Sequence, residues 1–344
     1  MKMKISFESV NLTARHTFKI AREELPGDVF ENVVVKLEHE GLTGWGEAAP
    51  FMIYGENQAT TLAALETMAP VVESYTDPWT AERLLNELDS VLERNYAAKA
   101  AIDMALIDLQ GKLCGQPLYR LLGLDPAGAP LSSFTIGIDT PETVRTKVRE
   151  VKDFPLLKVK VGGLEDMECL EVVRQEAPGA RLRVDANCGW TPHEALRMIE
   201  KLVLYGVEFV EQPLPSSNVE GMKWLHLKSP LPLMADESCG RLEDIQACVG
   251  QFDAINIKLA KCGGVRHALK MIHAARAMGL KVMLGCMLES SICITAAAHI
   301  SPLVDYADLD GAVLIADDPF RGMEFEKCRM NLPAGPGLGV EPRK

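Results

Sequence analysis

A chain of 344 residues, 47% of them apolar, is long enough for one large single-core domain and a smaller companion. Its net charge of −12 argues against nucleic acid and anionic membrane as partners, and no uninterrupted apolar run reaches the length of about 18 residues that a bilayer span needs. The opening residues MKMKISFESV alternate polar and apolar, unlike a signal-peptide core, so the cytoplasm is the expected location. Nine scattered cysteines without a Cys-x-x-Cys pair disfavour both a disulfide framework and a structural zinc site. The seven histidines show no metal-binding pairing.

The first 125 residues begin with strand-like segments, MKISFESVNL, ENVVVKLEHEG and TGWGEAAP. Helical segments follow, of which AAKAAIDMALIDLQGKLC has the clearest apolar spacing, so residues 1–125 are expected to form an α+β unit with its own core. From about residue 130 the pattern changes to short apolar or β-branched runs separated by polar helical stretches. The runs are SFTIGI, LLKVKVG, RLRVDAN, GVEFVEQP, LPLMADES, AINIKL, KVMLGCML and VDYADLDG. Eight such repeats predict a (β/α)8-type barrel over residues 126–315. An open doubly wound sheet is the alternative, but SFTIGIDTPE lacks the Gly-rich phosphate turn usual after its first strand. Residues 316–344 contain PAGPGLGVEP, too rich in Gly and Pro to fold alone, and are expected to pack back on the first unit.

In such a barrel, chemistry collects where strands run out into the following loops. The last polar residues of successive runs are Lys160, Asp185, Glu211, Asp236 and Lys258, at intervals of 22 to 26 residues, followed by Asp308 and Asp310. Each unit thus delivers a charged group to the same rim. One Glu and two Asp at one mouth form an oxygen-only set suited to a hard divalent cation, Mg²⁺ before Mn²⁺. Any one of these acids alone would read as a solvated loop residue or a helix cap.

Two lysines on one strand face, Lys158 and Lys160, are costly inside a closed barrel unless they have a task. The like charge of Lys158, with partial burial, is expected to lower the pKa of Lys160 and make it a general base. Lys258 falls four strands away on the opposite wall, so the pair can flank one carbon atom and move a proton from one face to the other. Lys261 competes for that role, but alternation from Ile255 and Ile257 puts Lys258 on the polar side of its strand.

Five motifs carry a resemblance over essentially the whole chain: Lys158-Val159-Lys160, Asp185-Ala186-Asn187, Glu211-Gln212-Pro213, Asp236-Glu237-Ser238 and Asn256-Ile257-Lys258. In this order and spacing they resemble the muconate-lactonizing-enzyme subgroup of the enolase superfamily. The resemblance implies Lys160 and Lys258 as acid/base catalysts, one Mg²⁺ per subunit held by Asp185, Glu211 and Asp236, and a capping domain over the barrel mouth. On the eighth strand, Ala307-Asp308-Leu309-Asp310-Gly311 resembles the dipeptide epimerases, whose paired carboxylates hold a free α-ammonium group. The implied reaction is 1,1-proton transfer through an enolate at the C-terminal residue of a dipeptide, with L-Ala-D/L-Glu as the default substrate. Epimerases of hydrophobic or cationic dipeptides, N-acylamino-acid racemases, o-succinylbenzoate synthases and cycloisomerases are the alternatives on the same barrel. Thr135 and Arg22 are further candidates for substrate contact, the latter in AREELPGDVFEN, where Glu23 and Glu24 would oppose an acidic side chain if they faced inward. The sequence leaves a homo-oligomer open.

Overall fold

The computed structural model describes residues 2–16, 19–20, 23–24, 28–163 and 166–343. Near the N-terminus, strands Lys4–Thr13, Val29–His39 and Leu42–Ala48 form an antiparallel sheet with the second strand in the middle. Alternation sorts the central strand between two cores. Val33, Val35 and Leu37 pack with Leu65, Met68 and Leu84 from the following helices, whereas Val34 faces the core of the larger domain.

Helix Tyr96–Cys114 lies between those two cores and is buried continuously from Ala97 to Gly111, which is why its sequence is apolar nearly all round. Its small residues allow close approach. A Cβ on Gly46 would collide with the carbonyl of Ala101, and one on Gly44 with that of Ala105. The two buried acids of this helix clamp other parts of the chain. Asp103 accepts from the backbone N–H and guanidinium of Arg266, on helix Val265–Ala277. Asp108 accepts from the N–H groups of Trp45 and Leu338, at 2.8 and 2.7 Å, and from Lys112. Further along, Gly337 exchanges backbone hydrogen bonds with Gln116 and Leu118, so the C-terminal segment packs against the end of this helix.

The eight apolar runs predicted from sequence form eight parallel strands: Phe134–Ile136, Leu156–Lys160, Arg181–Asp185, Val207–Glu211, Leu233–Ala235, Ala254–Lys258, Lys281–Gly285 and Tyr306–Asp308. They pair in sequence order, and a parallel bridge between Ser132 and Ala307 brings the last strand back to the first. The result is a nearly closed barrel with an N-terminal antiparallel sheet domain against its mouth. The opposite end is plugged by Phe209, Met234, Ala254, Met283 and Tyr306. Across that floor Arg183 stacks on the rings of Phe209 and Tyr306 at 5.2 and 5.0 Å. The nine cysteines are free, and among the described residues no helix is long and apolar enough to cross a membrane.

Candidate active site

Parallel pairing sets the register of the mouth. Lys160 lies opposite Asp185, and Asp185 opposite Glu211, at the last residues of their strands. These ends are followed by non-glycine residues with positive φ, Asn187 (40°), Cys188 (64°) and Gln212 (35°), a conformation of limited stability that the surrounding hydrogen bonds enforce. Gln212, for instance, accepts from the N–H groups of Asp236 and Ser238 and donates to the Leu214 carbonyl, tying the fourth strand end to the fifth.

Between the mouth and the N-terminal domain lies a cavity lined on the barrel side by Thr135, Lys158, Lys160, Asp236, Lys258, Asp308 and Asp310. Phe30, Phe51, Ile53 and Tyr54 from the N-terminal domain form its roof, and Met287, Leu288 and Leu314 its remaining apolar wall. The ammonium of Lys160 donates to Asp185 Oδ2 and Asn187 Oδ1, both at 2.9 Å. From the opposite wall Lys258 donates to Asp236 Oδ2 at 2.9 Å. Lys261 does not line this cavity. It is buried behind Asp236, donating to Oδ1 at 2.6 Å and to the backbone carbonyls of Asp236, Cys239 and Asn256. Thr135 is also brought in, through a backbone N–H that donates to Asp310 Oδ2 at 2.6 Å. Arg22 lies outside the described residues, as do the side chains of Glu23 and Glu24.

Lys158 departs from the role expected of it. Instead of confronting Lys160 as an unbalanced like charge, it donates to Asp308 Oδ2 at 2.8 Å and makes ion pairs with Glu211 Oε2 at 2.7 Å and Asp185 Oδ2 at 3.1 Å. Burial by itself would lower its pKa, but the charges of Asp185, Asp308 and Glu211 outweigh burial and raise it well above the ordinary lysine value. Its ammonium lies between three acids, and the sequence could not reveal that because its counter-ions come from three other strands. Lys258 follows the same rule: burial lowers its pKa, Asp236 raises it further, and the net shift is well upward.

The acids divide correspondingly. Asp185 would be pushed up by burial, but Lys158 and Lys160 hold it well below the usual carboxylate range. Asp236 is held down by Lys258 and Lys261 against the same burial. Glu211 is different. Burial and the charges of Asp185 and Asp236 overcome Lys158 and push it to about 7. On the eighth strand, Lys158 lowers Asp308 against burial, whereas burial and the charge of Asp308 raise Asp310 to about 7. The side chain of Asp310 does not cap the short helix Gly311–Leu314 that follows it.

The three expected metal ligands do not form a ready cage. Among the described residues no three acidic, His or Cys side chains are grouped to hold an ion, because Lys158, Lys258 and Lys261 are interleaved with the carboxylates. Asp185 and Glu211 meet the one ammonium of Lys158, and Asp236 meets those of Lys258 and Lys261. The donor set nevertheless fits a hard dication. Asp185, Glu211 and Asp236 offer only oxygen, and the buried Glu211 Oε2 is met among the described residues by the Lys158 ammonium at 2.7 Å, so positive charge already occupies that point. Its Oε1 is held by Asn256 Nδ2 at 2.7 Å, leaving Oε2 aimed at the other acids' lysine partner.

Several residues that order the site were not singled out from sequence. Ser133 donates to Asp308, Asn187 accepts from Lys160, and Asn256 orients Glu211. Asn187 and Asn256 lie inside the quoted motifs, the former two residues beyond its strand and the latter in the middle of its own, and were visible there as polar residues. Ser133 had no such signal.

An eight-stranded parallel barrel, roofed by an N-terminal sheet domain and carrying lysines on opposite walls around strand-end acids, defines an enolase-type barrel. Comparison with known proteins agrees across the chain. Residues 5–123 match the model of the mandelate racemase / muconate lactonizing enzyme N-terminal domain, and residues 142–344 that of the enolase C-terminal domain-like family. The chain belongs to the mandelate racemase / muconate lactonizing enzyme family. It is 43% identical to the L-Ala-D/L-Glu epimerase of Bacteroides thetaiotaomicron, over 98% of this chain and 88% of that one. It is 38% identical to the hydrophobic dipeptide epimerase of Roseobacter litoralis, over 98% of each chain. Its fold superposes with a TM-score of 0.92 on the dipeptide epimerase of Enterococcus faecalis V583 complexed with Mg and L-Leu-L-Tyr, at 35% identity over 99% of each chain.

Proposed function

We propose that this protein is an isomerase that epimerises dipeptides at the α-carbon of the C-terminal residue. The observation that carries the reading is the placement of Lys160 and Lys258 on opposite walls of one cavity whose eighth-strand side is the buried pair Asp308 and Asp310. An L-Ala-D/L-Glu epimerase at 43% identity and a hydrophobic dipeptide epimerase at 38% support the same reaction class. Asp185, Glu211 and Asp236 would hold Mg²⁺, which when bound supplies positive charge to stabilise the enolate as it develops on the substrate carboxylate.

The chain's own residues perform the rest. The acid pair fixes the α-ammonium and so sets which carbon lies between the lysines. One lysine takes the α-proton from one face of that carbon. The other returns a proton to the opposite face, and reversal of their roles runs the reaction backward. The roof formed by Phe30, Phe51, Ile53 and Tyr54 keeps bulk water from the planar intermediate.

L-Ala-L-Glu is the default substrate. A preference for hydrophobic dipeptides is the second reading, and the apolar roof and wall favour it among the described residues. A dipeptide library incubated in D₂O and read by mass spectrometry tests both. Deuterium at the C-terminal α-carbon of free dipeptides, with the strongest substrates naming the side chain, is the expected result. Equal exchange in N-acylated amino acids would replace epimerisation of dipeptides with N-acylamino-acid racemisation.

A further inference from the structure

Met287 and Leu288, on the cavity wall, belong to the loop between the seventh barrel strand, Lys281–Gly285, and helix Ser291–Ile300. This loop is held from the other domain. Asn32, on the central strand of the N-terminal sheet, donates to the Leu288 carbonyl at 3.1 Å and to Glu47 Oε1 at 2.9 Å. Glu47, on the neighbouring strand, accepts from the Ser290 N–H at 2.9 Å, from the Ser290 hydroxyl at 2.6 Å and from the Cys293 N–H at 3.4 Å. A carboxylate of one domain thus satisfies the first turn of a helix in the other. Asn32 and Glu47 are buried, and Leu288 packs with Leu12 and Ile315 in the same seam.

Glu289 stands behind this wall, buried, with Oε1 lacking a hydrogen bond among the described residues. The Met287 N–H and the Cys293 thiol donate to its carboxylate. The titratable groups facing it are Glu47 from the sheet, Cys293 from the helix, Cys286 from the loop and Lys258 from the sixth strand. Asp318, which accepts from the Ser291 N–H, adds its charge against Glu47 from the far side of the helix start. We infer that Glu47, assisted by Asn32, is a positioning residue that holds residues 286–290 in the shape that makes Met287 and Leu288 a wall of the substrate cavity, and that Glu289 loosens this clasp when it is charged. Burial and the charge of Glu47 push Glu289 to about 7, so the proton that keeps the two acids from repelling each other is present below that pH and lost above it. The wall touches substrate side chains and holds no base, so its displacement acts on KM before kcat. The kinetic half of the inference rests on the proposed dipeptide reaction; the clasp itself rests on the seam contacts.

Wild type, Glu47→Ala, Glu47→Gln and Glu289→Gln are compared by steady-state kinetics on a free dipeptide and by amide hydrogen exchange with mass spectrometry. Glu47→Ala should raise KM about tenfold with kcat within about threefold, and should speed exchange across residues 286–293 about tenfold while the other barrel loops keep wild-type rates. Glu47→Gln retains an acceptor for Ser290 and should fall between Glu47→Ala and wild type in both measurements. From about pH 6 to about pH 8, protection of this loop in wild type should fall about threefold relative to Glu289→Gln, and KM should rise by a similar factor. Unchanged loop exchange in the Glu47 variants overturns the clasp whatever the substrate. A fall in kcat at unchanged KM overturns it as well, by placing Glu47 in the chemistry. Parallel protection of wild type and Glu289→Gln across the pH range overturns the role of Glu289. If Glu47→Ala does not fold, Glu47→Gln and Ser290→Ala decide by the same readouts. A wild type inactive on free dipeptides defeats the proposed reaction instead, and the exchange measurement then decides the clasp by itself.

Discussion

At the barrel mouth Asp185 and Asp236 lie buried beside lysine ammoniums and are held ionised, whereas at the seam with the N-terminal domain Glu47 and Glu289 are buried as deeply without an ammonium in contact among the described residues. Glu47 is satisfied by neutral donors: the Asn32 amide at 2.9 Å and the Ser290 N–H and hydroxyl, at the N-cap of helix Ser291–Ile300. Burial raises its pKa despite these bonds. Glu289, with one oxygen lacking a hydrogen bond, is pushed to about 7 by burial and by the charge of Glu47. Depth alone therefore does not decide whether an acid in this protein is charged; the balance of neighbouring lysines and acids does, since Glu211 is raised by burial, Asp185 and Asp236 even with Lys158 at 2.7 Å. At the mouth Lys160 and Lys258, which help to hold Asp185 and Asp236 ionised, are also the two lysines proposed to move protons.

Removing a lysine of the mouth tests this contrast most severely. Lys160→Ala and Lys258→Ala should each lower kcat/KM for epimerisation by about 10²- to 10⁴-fold, the contribution expected of a positioned acid/base group. Each variant should retain α-proton exchange with only one epimer of the substrate, read by NMR in D₂O. Near-normal epimerisation by Lys258→Ala would shift attention to Lys261, although Lys261 is committed to Asp236 and three carbonyls.

Removing an acid should break the other half of the pairing. Asp236→Asn leaves Lys258 and Lys261 buried without their shared carboxylate, and loss of one partner from a buried pair costs about 3 to 5 kcal/mol. Urea unfolding should show a lower midpoint, and a second change, Lys261→Met, should recover a large part of the loss. No recovery would mean that Lys261 is stabilised by its backbone carbonyls and not by the acid.

At the seam the expected effect is smaller and depends on pH. The folded pKa of Glu289 is above its unfolded value, so the folded state binds more protons between about 4.5 and about 7. Its contribution to stability is fully present below about 4.5 and is lost as pH rises through about 7, with an upper limit of about 3 kcal/mol for a shift of this size. Glu289→Gln has no such titration. The stability difference between variant and wild type should therefore favour the variant increasingly as pH rises across that window, and a flat difference would place the Glu289 titration elsewhere.

The barrel was legible because each of its eight strands is an apolar run ending in a turn, and its charged rim because the spacing of Lys160, Asp185, Glu211, Asp236 and Lys258 follows the repeat itself. What spacing cannot give is which cation meets which acid. Lys158 was read as a neighbour of Lys160 because they share a strand, yet its contacts are with acids of the third, fourth and eighth strands. Ser133 was invisible for a related reason: it precedes the first strand by a single residue and matters only because barrel closure brings the eighth strand beside it.

The floor of the barrel offers the mildest test, since Arg183 is a buried cation there with no proton to move. Its guanidinium donates to Glu208 Oε2 at 3.0 Å and to the Ala307 carbonyl at 2.9 Å, and lies over Phe209 and Tyr306. Arg183→Lys keeps the charge but loses the planar group that stacks between two rings while donating in two directions. The stacking is worth about 0.5 to 2 kcal/mol, so the melting temperature should fall by a few degrees at most for a domain of this size. Activity should be unchanged, because the floor is at the opposite end of the strands from Lys160 and Lys258. If Arg183→Lys instead depressed kcat as strongly as a change at the mouth, the division between a structural floor and a chemical rim would not hold, and the Ala307 carbonyl, one residue before Asp308, would be the route connecting them.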